Sequence, residues 1–133
     1  MAVQPMLDQD SDRCRVIRET FDRLGDKWSL LIVNILSRGP QRFTVLKFAA
    51  EGISQRMLTL TLRKLERDGI VRRTVFAEVP PRVEYELSSL GQTLVGPATA
   101  LADWAVSNHR AITSNQQGYD RRSDHAESQT SRR

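Results

Sequence analysis

Few side chains in this sequence can do covalent chemistry. Cys14 is the one cysteine, and His109 and His125 are the two histidines. Neither histidine sits in a metal-ligand cluster, and Cys14 has no histidine near it in sequence to act as a base. No glycine-rich loop of Walker type is present to cradle a nucleotide. Enzymatic activity, a metal and a cofactor are therefore not expected. What the chain offers instead is guanidinium. Between residues 53 and 82 stand seven bases (Arg56, Arg63, Lys64, Arg67, Arg72, Arg73 and Arg82) against three acids (Glu66, Asp68 and Glu78). Gln55 and Thr59 lie among them. Amide, hydroxyl and guanidinium groups are those that hydrogen-bond to base edges and phosphates. The formal charge of +4 and pI near 9.8 agree, although a surplus of this size also serves ordinary solubility.

These groups need an element to aim them. In the stretch Ser54–Asp68, Leu58, Leu62 and Leu65 recur at spacings of four and three and line one side of a helical period. Gln55, Arg56, Thr59, Arg63 and Arg67 fall largely on the other. Ser54 can cap the first turn, although Met57 at the third position after it leaves no reciprocal capping box. Gly69 stops the helix. Leu60 lies off the inward stripe. Upstream, Thr44 can cap a short helix over 45–50, with Leu46 and Ala49 inward. Glu51-Gly52-Ile53 reads as a tight turn with Ile53 as a buried anchor. A short helix, a compact turn and a polar-faced second helix make a helix-turn-helix, whose second member enters the major groove.

After Gly69 the period changes from 3.6 to 2. Residues 70–76 are rich in β-branched types, and Val83, Tyr85 and Leu87 alternate with Glu84 and Glu86. The connecting AEVPPR is stiffened by paired prolines. Two strands behind a helix-turn-helix form a wing, and Arg72, Arg73 and Arg82 give it charge for a phosphate backbone or a minor groove. An ordinary hairpin with solvated arginines is the bland alternative.

The remaining segments frame this unit. Residues 1–12, with three acids and no base, read as a flexible lead. A helix is expected over 15–24, with Val16 and either Phe21 or Leu24 inward, and Gly25 ends it. Asp26 can cap a strongly apolar helix reaching Leu36 that packs centrally. Gly39-Pro40 breaks it, and Arg42-Phe43 is a short extended link. Ser88 or Ser89 can cap a last helix reaching Asn108, with a kink or offset start at Gly96-Pro97. The terminal helices carry more apolar surface than this small core can cover, so a two-fold partner is the economical sink. Phe21, Leu94, Leu101 and Trp104 are the expected dimer residues, Trp104 being equally suited to its own core. From Arg110 onward apolar residues almost vanish, and 110–133 is expected to be a disordered polar tail. No apolar run approaches a membrane span and no leader precedes the domain, so a cytoplasmic, nucleoid-associated protein with no membrane partner is expected.

In order and spacing, Cys14, GDKWSLLI (25–32), GPQRF (39–43), GIS (52–54), LTLTLRKLERDGIV (58–71), VPPRVEYELSSLG (79–91) and Leu101…Trp104…His109 resemble the HxlR-type family of winged helix-turn-helix regulators, relatives of the MarR type. The resemblance spans residues 14–109. Asp26 stands where the family commonly has a second glycine, and Val45 where it commonly has an acid. The resemblance implies a mainly helical fold with a β-hairpin wing and terminal dimerisation helices. It also implies a homodimeric repressor or activator on a palindromic or repeated operator in double-stranded DNA. Ser54, Gln55, Arg56 and Thr59 are then the base-reading set. Arg63, Arg72, Arg73 and Arg82 are the backbone or wing set.

Some members sense oxidants or electrophiles through a cysteine matching Cys14. Arg13, Arg15 and Arg18 would favour its thiolate. Packing in a dimer core is the other expectation for it. Two further function classes stay open at this point. One is a winged-helix module whose basic face meets an acidic protein without sequence-specific DNA binding, and the other is a dimerisation protein with no nucleic-acid role.

Overall fold

A computed structural model describes the backbone of residues 3–131 and the side chains of residues 11–131. The order of elements is α1 (Val3–Leu24), α2 (Ser29–Leu36), β1 (Gln41–Arg42), α3 (Phe43–Ala49), α4 (Gln55–Arg67), β2 (Val71–Phe76), β3 (Arg82–Leu87), α5 (Ser89–Thr93) and α6 (Val95–Ser131). The chain forms two compact units, one ending at Ala98 and the other beginning at Thr99.

The core of the first unit draws on every element of the helix-turn-helix. Ile32, Val33 and Leu36 of α2 pack with Leu46 and Ala50 around α3 and with Leu58, Leu62 and Leu65 of α4. Ile53 is buried as the anchor of the turn. The leucine stripe of α4 thus faces inward as its spacing predicts, and Leu60 is exposed. Ser54 caps the helix, its Oγ accepting the Met57 N–H at 3.0 Å. The turn needs Gly52, whose φ is +92°, a region in which a Cβ would be strained.

The central helix is capped through Asp26, as expected, but from a position further out. Its Oδ1 accepts the N–H groups of Trp28 and Ser29, both at 2.9 Å, and α2 proper begins at Ser29. α3 starts earlier than expected, at Phe43, with Arg42 at the cap and no side-chain cap bond. The reason lies in the link before it. Gln41 and Arg42 form a strand that pairs antiparallel with Tyr85 and Glu84 of β3, and this pairing delivers the chain to α3 two residues sooner. Ala49, expected to face inward, is exposed; Ala50, where the backbone leaves the helix, is buried instead.

The sheet has the order β1-β3-β2. In the β2–β3 hairpin Val71 pairs with Leu87, Arg73 with Tyr85 and Val75 with Val83. Strand alternation puts these on one face, with Val71 and Leu87 buried at its root. Arg72, Thr74, Phe76, Arg82, Glu84 and Glu86 belong to the other face. The hairpin tip contains a cis Val79–Pro80 peptide.

Ser88 fastens the wing's far end. Its Oγ accepts the Gly91 N–H as the cap of α5 and donates chiefly to the Gly69 carbonyl at 2.5 Å, with the Ile70 carbonyl at 3.1 Å as a longer second acceptor. A Cβ on Gly91 would lie 2.2 Å from the Ile70 carbonyl oxygen. Only glycine allows α5 to approach the start of β2 this closely.

The terminal helices are longer than expected. α1 begins at Val3, so the described part of the lead assigned to 1–12 is helical. Pro5 falls in its first turn, where the missing N–H is tolerated. In α1 Leu24 packs against the core, whereas Val16 and Phe21 are exposed. The last helical region starts in two steps, with α5 capped by Ser88 and α6 beginning at Val95. Pro97 sits in the first turn of α6. From there α6 runs through Ser131, so the described residues of the tail expected to be disordered are helical. Beyond Pro97 no proline interrupts the segment. Arg132 and Arg133 lie outside the described residues.

Candidate nucleic-acid interface

The side of α4 turned away from the core presents its polar residues as one surface. Gln55, Arg56, Thr59, Leu60 and Arg63 line a single shallow depression along the helix. Their chemical states differ. Gln55 and Arg56 are exposed, and among the described residues their side chains make no hydrogen bond or ion pair. They are free to meet a base edge. The Thr59 hydroxyl donates to the Gln55 carbonyl at 2.9 Å and so presents its lone pairs outward. Ser54 Oγ is occupied as the cap acceptor, and its hydroxyl hydrogen remains available.

The wing arginines divide in the same way. Arg72 is exposed, with Glu86 opposite it in the hairpin register. Arg73 lies across the hairpin from Tyr85, and its Nε is 3.4 Å from Glu66 Oε2 on α4. Arg82 is held within the wing. Its guanidinium stacks 4.1 Å from the centre of the Phe76 ring and pairs with Glu78 at 3.3 Å and Glu84 at 3.5 Å. Cation–π and paired-charge contacts of this kind fix a side chain more than they offer it to a ligand.

Two further contacts flank α4, and sequence spacing alone does not reveal either. On one flank Lys64 Nζ bonds to Asp26 Oδ2, which also accepts Ser29 Oγ at 2.6 Å. Burial alone would raise the Asp26 carboxyl. The bonds from Lys64, Ser29 and the two backbone N–H groups outweigh it and hold the group well below the usual carboxylate range. On the other flank, Glu66 lies within a loose, exposed ion-pair distance of Arg73 on the wing. Between that pair and Arg63 lies a crevice lined also by Thr59, Leu62 and Tyr85. Burial raises the Tyr85 phenol above its ordinary value; Arg73 opposes this, Glu66 adds to it and Arg63 opposes it.

Elsewhere, Cys14 is a free, exposed thiol on α1, and neighbouring Arg15 pairs with Asp12 at 3.4 Å. Of the residues expected at a dimer contact, Phe21, Leu101 and Trp104 are exposed. Leu94 packs instead, half-buried, against its own core. Among the described residues there is no group of three or more His, Cys, Asp or Glu that could hold a metal ion, and no helix is long and apolar enough to cross a membrane.

Comparison with known proteins agrees with this geometry. Residues 23–113 match the HxlR-like helix-turn-helix family. The chain is 41% identical over 95 residues to the HTH-type transcriptional regulator YybR of Bacillus subtilis, covering 71% of this chain and 76% of that protein. Among solved structures, the transcriptional regulator ytfH from Salmonella typhimurium superposes with a TM-score of 0.70 at 35% identity, over 75% of this chain and 89% of the other. The redox regulator HypR in its oxidised form superposes with a TM-score of 0.66 at 41% identity, over 69% and 95%. The fold and the relatives agree: this chain belongs to the HxlR-like family of winged helix-turn-helix transcriptional regulators, which are DNA-binding proteins and not enzymes.

Proposed function

We propose that the protein acts as a homodimer on a palindromic or repeated operator, with α4 of each subunit in a major groove and the wing alongside the backbone. Gln55 and Arg56 carry most of the base discrimination, with Ser54 and Thr59 as secondary partners. Each well-formed bidentate pair is worth ~1–3 kcal/mol of preference for the correct base. Arg63, Arg72 and Arg73 contribute phosphate contacts that choose no sequence. Arg82 serves the same surface indirectly, by keeping the wing tip in shape.

The observation that carries this reading is the single row of Gln55, Arg56, Thr59 and Arg63 along the outward side of a capped, core-anchored helix. The exposed apolar side chains of Phe21, Leu101 and Trp104 support pairing with a second copy. Selection of bound sites from a random duplex pool tests the function. Recovery of two related half-sites at a fixed spacing is expected, and recovery of no preferred sequence would defeat it. A winged-helix module that binds an acidic protein instead would show that second outcome.

A second reading concerns control. Cys14 is exposed, so within one chain it is not a packing residue, and HypR is described as a redox regulator. We infer that oxidation or alkylation of Cys14 by an oxidant or electrophile alters operator affinity. Repeating the selected-site binding with a diamide-treated protein, and with a Cys14→Ser variant, tests this. Loss of the treatment effect in Cys14→Ser is expected, and an identical effect in both proteins would exclude it.

A further inference from the structure

We propose that the crevice between α4 and the wing is a seat for one backbone phosphate of the DNA duplex, and that Glu66 occupies its cation until the duplex arrives. The inference rests on the DNA-binding reading above and adds a site and a tuning residue to it.

The crevice encloses about 240 Å³ and is lined by Thr59, Leu62, Arg63, Glu66, Arg73 and Tyr85. Two guanidiniums face one carboxylate, a surplus of one positive charge in a recess open to solvent. Arg63 has no ion pair or hydrogen bond among the described residues. Arg73 has one, to Glu66, through a single Nε–Oε2 contact of 3.4 Å. That contact is long for a charge-assisted bond and engages one of five guanidinium donors. Both side chains are substantially exposed, 47% for Arg73 and 39% for Glu66, and exposed pairs of this kind contribute little free energy and exchange readily. A phosphate oxyanion, by contrast, could accept from Arg63 and Arg73 at once.

Tyr85 completes the chemistry of the recess. It forms the wall beside Arg73 and makes no hydrogen bond among the described residues. A phenol is protonated at neutral pH and burial raises it further, so it is a neutral donor in a site that already carries a carboxylate. The location suits a duplex as well. The crevice adjoins the outward row of α4 through Thr59 and Arg63, which belong to both surfaces. A helix seated in the major groove would bring a phosphate of the groove wall to this side. Glu66 therefore weakens binding in a sequence-independent way. It prevents the protein from holding any duplex too tightly, and base readout decides residence.

The test uses the full chain with Glu66→Gln, Arg73→Gln, the double variant and Tyr85→Phe. Each is titrated with a selected operator and with a random duplex across a range of salt. Glu66→Gln should tighten both duplexes severalfold by the same factor and steepen the log K against log salt slope by roughly one contact. Arg73→Gln should weaken both and cancel the gain in the double variant. Tyr85→Phe should weaken both modestly without altering the slope. Unchanged affinity and slope in Glu66→Gln, with an unchanged melting temperature, would overturn the proposal while wild-type operator binding left the DNA-binding reading intact. Failure of the wild type to bind either duplex would overturn both. Inorganic phosphate at matched ionic strength provides the remaining arm, read by NMR of the arginine Nε–H groups. Saturable binding of free phosphate at Arg73, with duplex affinity insensitive to Glu66→Gln, would assign the crevice to the free ion and also overturn the proposal.

Discussion

Lys64, in the third turn of α4, bonds to Asp26, thirty-eight residues earlier and just ahead of α2. One carboxylate thereby caps the central helix and holds α4 beside it.

Asp26→Ala should remove the cap and the clamp together. A loss of about 1–2 kcal/mol is expected from the cap alone, read from the denaturant midpoint. The pH dependence has a defined sign. The folded-state carboxyl titrates below its unfolded value, so its contribution is fully present above the ordinary carboxylate range. It is lost as pH falls through and below about 4. The stability difference between wild type and Asp26→Ala should shrink on acidification, and a difference that grows below about pH 4 would contradict the assignment.

Gly91→Ala should be among the most damaging single substitutions. Its Cβ would meet the Ile70 carbonyl oxygen at 2.2 Å. The oxygen belongs to the backbone and cannot rotate away. A cost of about 3 kcal/mol or more is expected, seen as a lowered melting temperature or as insoluble expression. Wild-type stability in this variant would show that α5 can lift from the corner between α4 and β2.

Arg56→Ala and Arg72→Ala should fail in different ways. Removing the first should reduce discrimination between operator and random duplex by ~1–3 kcal/mol. Removing the second should weaken both duplexes alike and lower the salt slope by roughly one. Binding curves at several salt concentrations separate the two patterns. Equal losses on both duplexes from both variants would dissolve the division of labour.

Trp104→Ala should leave helicity intact and weaken self-association. The indole is exposed within its own chain, so its removal opens no intrachain cavity. Buried aromatic anchors at interfaces typically contribute ~2 kcal/mol or more, a shift visible by sedimentation at micromolar protein. An unchanged dimer constant would move the interface elsewhere.

The helix-turn-helix was legible because its signals reinforce one another. Leu58, Leu62 and Leu65 specify a face, Ser54 the start and Gly69 the end, and all three features appear in the fold. The alternation from Val83 to Leu87 similarly revealed β3. What escaped has physical reasons. A strand of two residues, Gln41–Arg42, has no periodicity to detect and exists through its partner on β3. In a helix as short as α3, one residue at its end decides the inward partner, and the non-helical backbone at Ala50 buries that side chain in place of Ala49. The extended α6 escaped because composition reports whether a segment can build a core, and a solvated helix builds none. The partnerships of α4 with Asp26 and with Arg73 depend on which elements lie side by side, and residue types encode that only after folding.

The pairing of β1 with β3 has one more consequence. Through it the strand entering α3 is hydrogen-bonded to the wing, while Ser88 locks the wing's other end to the corner after α4. On the proposed DNA-binding reading, α4 and the wing would then act as the two jaws of a caliper rather than as fingers that adjust independently. Such a tool would measure the width of a groove as well as the letters within it. A duplex whose bases are correct but whose groove is pinched or splayed should be rejected by geometry alone.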